Sequence, residues 1–413
     1  MILPLLSNAD DVRFFLPAEL APSLTGLAWR VPLEEWQEHG VRIIPVRSGL
    51  SRHIVRFIEN EGERFAVKQT TLASAAREHA CYLELARRRI PTLIPVGVVA
   101  RDEGTGMVET AVGVQPEPRV AGFLITRLME KVVPGSLLFR RGFTTGNRNR
   151  IWDAAVHLFV RMHPNGVSWG DASLANMLIH FRTESVPQLG RRTVLRAMLA
   201  DAETVETPPS LPDSLRHADV EFFLESMLWT EADLQASGVV RDPLITRHDQ
   251  RYIRRSYDER YAVGLEKRSF ELLTHIDVDK LLGDFDGEGY GNLLLRDINE
   301  HQWYISERLG LDAGIVEAAE DWYSTIFKPV CGIFSDYGLL EIFPDKTASS
   351  LYVQVMEHKY LMSERKKRDV GLVAALEDYL DRFTRTTPVI GSIIRSLKVL
   401  FREMPAPGNI YLA

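Results

Sequence analysis

Apolar residues alternate with polar ones in the first third of the chain and recur at helical spacing in the remainder. Residues 41–44, 53–58 and 64–68 predict three strands, with Asn60-Glu61-Gly62-Glu63 as the turn before the third. Two further strands are expected at 94–99 and 122–126. The Gly-, Pro- and Glu-rich stretch 101–120 between them reads as a loop. Residues 73–89 and the amphipathic run 151–163 predict helices, and 131–149 a basic, Gly-containing loop. An apolar strand follows at 194–200, and from about 231 the pattern is helical and charged. Residues 1–40, with Trp29 and Trp36, read as a leader that packs on the adjoining sheet-bearing lobe. The fold class is α+β, in four segments: the leader at 1–40, the sheet-bearing lobe at 41–126, a mainly helical lobe at 127–235, and a helical domain at 236–413.

Composition narrows the class. The chain has 413 residues, 45% hydrophobic and 25% charged, as in ordinary globular proteins. A net charge of -7 argues against a broad nucleic-acid-binding face. Cys81 and Cys331 have no metal-ligand spacing and suggest a reducing compartment. The apolar start, Met1 to Leu6, lacks the length of a signal peptide, and no apolar run suffices to span a bilayer. The expectation is a cytoplasmic protein without a transmembrane segment.

The polar residues that interrupt these patterns suggest chemistry. Gly170-Asp171 is followed, after four residues, by Asn176 and an apolar run. With this spacing an Asp can accept the proton of an attacking hydroxyl while the Asn holds magnesium. Lys68 ends the strand at 64–68, where its ammonium suits the phosphates of ATP, and Glu78 on the next helix can fix that ammonium. Asp201 and Glu203 close the strand at 194–200 as further magnesium ligands. Ser48, Gly49 and Ser51 lie in a strand connection that could cradle phosphate, though with one glycine. Arg127 to Glu130, with Arg127 and Met129 as nucleotide contacts, would be the hinge between lobes. Asp219 would brace the loop at 169–176 from beneath.

In this order the residues resemble the protein-kinase-like superfamily, nearer to aminoglycoside and choline phosphotransferases than to protein kinases. Trp169-Gly170-Asp171 stands where those enzymes carry His-Gly-Asp, and Asp201-Ala202-Glu203 is similar to their Asp-Phe-Glu. More closely, the chain resembles a bacterial family of unknown function whose N-terminal half is like lipopolysaccharide kinases. That likeness rests on Ser48 to His53, Trp169 to Asn176, Asp201 to Thr204, Glu357-His358 and Ser363-Glu364-Arg365. It implies a two-lobed kinase-like fold with ATP and Mg2+ as cofactors, Asp171 and Lys68 as catalytic groups, and a small-molecule, sugar or lipid hydroxyl as acceptor. Ser173 departs from the cation usual two residues after the catalytic Asp, and no peptide-docking segment follows Glu203. A nucleotide-binding pseudokinase or interaction scaffold stays open as the alternative.

The C-terminal half contains an internal repeat at about 281–335 and 339–390. From 300 to 321 against 357 to 378, at an offset of 57, 11 of 22 positions are identical. Each unit reads as a helix, a turn with Asp312 or Asp369 as N-cap, and a second helix. The repeated His301/His358 and Glu307/Glu364 read as structural rather than as a metal site. The repeats leave open a homo-oligomer or a protein partner. Arg247 to Arg255 reads as a solvated helix face, which makes nucleic acid unlikely as a partner. Asp284 to Asn292 reads as a Gly-rich turn between strands, and 405–408 as a loose tail.

Overall fold

The computed structural model describes residues 5–9, 11–46, 53–110, 113–139, 145–186, 190–239, 243, 245–282, 289–343, 346–383 and 389–403. Its internal contacts divide the chain into two units, Met1–Arg182 with Thr193–Tyr257, and Thr183–Arg192 with Asp258–Ala413.

The first unit begins with strands β1 (Leu5–Ala9) and β2 (Val12–Phe15), then helix α1 (Ala21–Thr25) and strand β3 (Arg42–Ile43). Strands β4 (Val55–Asn60) and β5 (Glu63–Thr71) lead into helix α2 (Leu72–Arg87). Strands β6 (Ile94–Thr110) and β7 (Gly113–Arg127) complete an antiparallel sheet of order β1-β2-β6-β7-β5-β4-β3. The loop expected at 101–120 is largely strand. Its Gly and Pro residues are carried by a long ladder with register shifts at Pro95/Gly97 and Asp102/Thr105. The first forty residues add two strands to this sheet, Val12 pairing with Arg101. Trp29 and Trp36 are buried with Phe123 and Phe65 in its core.

Thr71 ends β5 and caps α2, its hydroxyl accepting from Ser74 N–H at 3.2 Å. Ala75, Glu78, His79, Tyr82 and Leu85 recur every three or four residues and form the buried face of α2. At Gly122 of β7 an added Cβ would lie 2.5 Å from Thr71 O, so only glycine lets the sheet pass this close to the start of α2.

The remainder of this unit holds β8 (Val132–Pro134), α3 (Gly135–Leu138) and α4 (Thr145–Met162). Much of the loop expected at 131–149 is therefore ordered structure, and Arg140 and Arg141 lie outside the described residues. β9 (Met177–Val186) and β10 (Gly190–Leu199) join β8 in a three-stranded sheet. Helices α5 (Asp213–Ala236) and α6 (Arg247–Thr274) follow. The division at 257/258 lies inside α6, whereas the sequence pattern put it near 236. Arg247, Arg251, Arg254 and Arg255 are exposed on this helix, as a solvated face requires.

Apart from the ends of β9 and β10, the second unit is helical, with the rest of α6 followed by α7 (Val278–Leu282), α8 (Tyr290–Leu309), α9 (Ile315–Trp322), α10 (Lys328–Asp336), α11 (Leu339–Ile342), α12 (Ala348–Lys366), α13 (Gly371–Phe383) and α14 (Val389–Glu403). A π-helical turn, Tyr323–Phe327, joins α9 to α10. Of the turn expected between strands at 284–292, Tyr290 to Asn292 are instead the first residues of α8, and residues 283–288 lie outside the described residues, as do 405–408. Trp322, Phe327, Tyr352 and Leu376 are among the side chains of one apolar core.

Hydrogen bonds in this unit recur 57 residues apart. His301 Nε2 lies 2.7 Å from Asp321 Oδ2, and His358 Nε2 lies 2.6 Å from Asp378 Oδ2. Ser306 donates to Gln302 O and accepts from Ala313 N–H; Ser363 donates to Lys359 O and accepts from Val370 N–H. Each His ties the first helix of a pair to the second, while Glu307 and Glu364 are exposed. The expected Asp caps differ. Asp369 Oδ1 accepts from Gly371 N–H at 3.1 Å, but α9 begins at Gly314 without a side-chain cap.

Candidate functional site

Three charged side chains from distant parts of the sequence meet in the first unit. Lys68 Nζ donates to Glu78 Oε2 at 2.9 Å and to Asp201 Oδ1 at 3.1 Å. β5 delivers the lysine, α2 the glutamate and the end of β10 the aspartate. Glu78 is 2% exposed, so it is no solvated surface residue. Burial opposes the lysine charge, yet Glu78 and Asp201 outweigh it and hold the ammonium pKa above its usual range. The two carboxylates fix the ammonium in place through charge-assisted hydrogen bonds.

Tyr82 completes the cluster from beneath. Its hydroxyl donates to Glu78 Oε1 at 2.8 Å and accepts from Asp201 N–H at 3.0 Å. Burial pushes the Tyr82 pKa well above that of a free phenol, with Glu78 adding to the shift. Asp201 needs this help, because its backbone adopts φ 58°, in the left-handed region. β10 is anchored just before it: Leu199 N–H donates to Pro91 O, and Leu199 O accepts from Thr92 Oγ1, each at 2.9 Å.

The loop carrying Asp171 is held by Asp219 on α5. Asp219 is 2% exposed. Its Oδ2 accepts from Trp169 N–H at 2.7 Å and Ser168 Oγ at 3.1 Å, with His163 Nε2 at 3.3 Å, and its Oδ1 accepts from Gly170 N–H at 2.8 Å. Gly170 has φ +78°, and an added Cβ would meet Thr204 O at 3.0 Å. Thr204 Oγ1 donates to Trp169 O at 2.7 Å, which fixes the turn after Asp201 against the loop. Ser226 Oγ accepts from Leu174 N–H at 2.9 Å farther along.

Asn176 follows on the same loop. Its Nδ2 donates to Asp171 O at 3.3 Å, which leaves Oδ1 as the atom able to face a cation. Its carbonyl accepts from Ala200 N–H at 2.9 Å, so positions 176 and 201 lie at neighbouring strand ends. Glu203 sits on the 3-10 turn Ala202–Thr204. Among the described residues no three His, Cys, Asp or Glu side chains form a metal cage. A cation here would rest on Asp201 and Asn176 oxygens, with water and phosphate completing its shell, which is how Mg2+ is commonly held.

The other expected contacts fall as follows. Ser48, Gly49 and Ser51 lie outside the described residues. Arg127 ends β7 and pairs with Glu63 on β5. Leu128 N–H donates to Arg64 O at 2.9 Å, and Met129 follows in a non-regular segment. Ser173, where a cation was missing, turns inward: its hydroxyl accepts from Asn176 N–H at 3.3 Å. Tyr82 and His163 escaped the sequence reading. The four-residue spacing of Glu78 and Tyr82 on a helix was the signal for the first; nothing in the pattern marked the second.

Residues 340–384 match the family described as a domain of unknown function, DUF4032. No curated protein matches the chain. Solved structures that it resembles include WaaP in complex with acyl carrier protein, at 19% identity and a TM-score of 0.37, over 60% of this chain and 89% of that one. An aminoglycoside-3'-phosphotransferase of type VIII matches at 16% identity and a TM-score of 0.31, over 59% and 99%. The Rio2 kinase-ADP/Mg2+-phosphoaspartate complex from Chaetomium thermophilum matches at 13% identity and a TM-score of 0.30, over 62% and 81%. The first unit is α+β, with an antiparallel sheet whose Lys68 pairs with a glutamate of α2 and an aspartate at the end of β10. No helix among the described residues is long and apolar enough to cross a membrane.

Proposed function

We propose that this protein is an ATP- and Mg2+-dependent phosphotransferase that acts on a hydroxyl of a small molecule, sugar or lipid. The carrying observation is the meeting of Lys68, Glu78 and Asp201, at 2.9 and 3.1 Å, from β5, α2 and the end of β10. Magnesium, when bound with ATP, would neutralise charge on the phosphates. Asp201 and Asn176 present the oxygen donors that such a hard cation takes. Glu203 is the further ligand from the same turn. Lys68, oriented by Glu78, would hold the α- and β-phosphates, and the segment at Arg127 to Met129 would border the base. Asp171 would accept the proton of the acceptor hydroxyl. Its loop is fixed through Asp219, so the base is positioned before substrate arrives.

One observation favours the alternative, a nucleotide-binding pseudokinase or scaffold. Ser173 serves the loop backbone and supplies no positive charge to the transferred phosphate. The two readings part on turnover. Titration with ATP should raise the melting temperature only when Mg2+ is present, and Asp201→Asn should abolish that rise. If the protein is an enzyme, slow Mg2+-dependent ATP hydrolysis accompanies binding and disappears in Asp171→Ala, whose nucleotide response persists. Binding without hydrolysis selects the pseudokinase, and no nucleotide response in the wild type removes both nucleotide-dependent readings and leaves the interaction scaffold.

A further inference from the structure

One lateral row of the sheet runs from Lys68 to the first described residue of the chain. Lys68 on β5 pairs with Leu124 on β7, Leu124 with Val98 on β6, Val98 with Phe15 on β2, and Phe15 with Leu5 on β1. Directly opposed residues of antiparallel strands project to one face, so Lys68, Val98 and Phe15 share the face that carries α2. At one end of the row Glu78 takes the lysine. Towards the other end, α2 and the row leave a groove of about 700 Å³. Phe15 and Val98 form its sheet side, and Leu72, Ala76, His79 and Leu83 its helix side. These four recur at three- and four-residue spacing as one stripe, roughly 130° around the axis of α2 from Glu78.

The chemistry of the groove selects an apolar, uncharged occupant. Leu83 is 41% exposed there. The charged residues at its rim, Glu84 and Arg87, satisfy each other through two hydrogen bonds at 2.6 and 2.7 Å, so neither calls for an opposite charge. His79 makes no hydrogen bond to another described residue, and burial holds its pKa below the ordinary 6.5. A neutral imidazole in an apolar wall is free to serve the main chain of an extended segment.

The chain itself brings such a segment to the groove. β1 ends backward at Leu5, opposite Phe15, and residues 1–4, which precede it, lie outside the described residues. In sequence they are Met1-Ile2-Leu3-Pro4, three apolar residues and a proline. Pro4 has no N–H with which to prolong the ladder to β2, and it biases Leu3 towards an extended backbone. Four extended residues span at most about 14 Å. Leu72 and Leu83 lie about 16 Å apart along α2 at 1.5 Å per residue, so the segment is long enough to follow most of the stripe.

We propose that Met1 to Leu3 of this chain seat in the groove and buttress α2 on the side away from Lys68, so that the helix is held with Glu78 against the lysine. The docking is independent of phosphotransfer and is read without nucleotide. In the full chain, Leu3→Glu places a charge on the segment and Leu83→Glu places one in the groove. Each should lower the melting temperature by a few degrees, the scale of one leucine losing its burial. The double variant should fall little below the lower single variant, because both disrupt one contact. A wild-type melting temperature in Leu3→Glu overturns the proposal, as does full additivity in the double variant. Cross-linking then shows whose segment it is. In a Cys81→Ser, Cys331→Ser background, Ile2→Cys combined with Ala80→Cys or with Leu83→Cys should oxidise to a monomer with an internal disulfide. Ile2→Cys combined with Ser214→Cys, at the exposed start of α5, should not. A disulfide-linked dimer assigns the groove to a second copy and overturns the proposal. No disulfide at either groove position, or an equal rate with Ser214→Cys, overturns it too.

Discussion

Asp201 donates its backbone N–H to the Tyr82 hydroxyl at 3.0 Å, across 119 positions of sequence. The same hydroxyl donates to Glu78 Oε1, so one phenol sets both carboxylates that flank Lys68. Tyr82→Phe keeps the buried ring but removes this link. Buried Glu78 and the half-buried N–H of Asp201 then lose their partner, at a cost of about 1–2 kcal/mol. Urea denaturation should show that loss, and the melting response to ATP and Mg2+ should shrink with it. Wild-type stability together with a wild-type nucleotide response would dismiss Tyr82 as a positioning residue.

Asp219 collects donors from Ser168, Trp169 and Gly170 and lies against His163. Two of these donors are backbone N–H groups, which no rotamer change can redirect. Asp219→Ala strands them in a buried place and should destabilise by about 3 kcal/mol or more. Asp219→Asn keeps an acceptor oxygen and should cost roughly half as much. The ordering Ala worse than Asn, read from denaturation midpoints, checks the bracing role.

How far the sequence reaches is clear from these residues. Lys68, Glu78, Asp171, Asn176 and Asp201 stood out in the sequence at a strand end, a helix face or a fixed spacing, and the structure brings Lys68, Glu78 and Asp201 together. Asp219 was legible as a brace because it lies on a helix soon after the loop. Tyr82 was not, since an aromatic on a buried helix face reads as core, and only the fold shows its hydroxyl between Glu78 and Asp201. The loop expected at 101–120 failed for a related reason. Gly104, Gly106, Pro116 and Pro118 are local breakers, but β6 and β7 pair over so many residues that the ladder overrides them. In the repeats, the sequence showed that His301 and His358 correspond, and the structure supplied their partners, Asp321 and Asp378, which belong to the same 22 positions.

Gly170 tests the turn before Asp171. Its φ of +78° disfavours any residue with a Cβ, and that Cβ would also press on Thr204 O at 3.0 Å. Gly170→Ala should cost about 1–2 kcal/mol and reduce any turnover by moving Asp171. Gly146, in the first turn of α4, has nothing within 4 Å of an added Cβ. Gly146→Ala should be neutral or stabilise by about 0.5–1 kcal/mol. Equal effects at the two positions, measured side by side by calorimetry, would refute the argument from backbone strain.

His163 gives the unit a dependence on acid. It lies beneath the loop, with Nε2 near Asp219 and Nδ1 2.7 Å from the Tyr257 hydroxyl. Burial lowers its pKa below the ordinary 6.5, and the pull of Asp219 does not reverse this. Between the lowered folded value and 6.5 the unfolded chain binds more protons than the folded one. Stability from this group is therefore full above about pH 6.5 and falls as pH drops through that value. The slope it contributes cannot exceed about 1.4 kcal/mol per pH unit, the worth of one proton. His79 and His180 are lowered in the same sense, so the total slope alone does not identify His163. His163→Gln removes the titrating ring but keeps a side-chain N–H able to reach Asp219. Denaturation midpoints between pH 8 and pH 5.5 should fall less in this variant than in the wild type. Parallel profiles would show that His163 does not titrate across the unfolding transition, and the acid sensitivity would then belong to the other histidines or to the carboxylates.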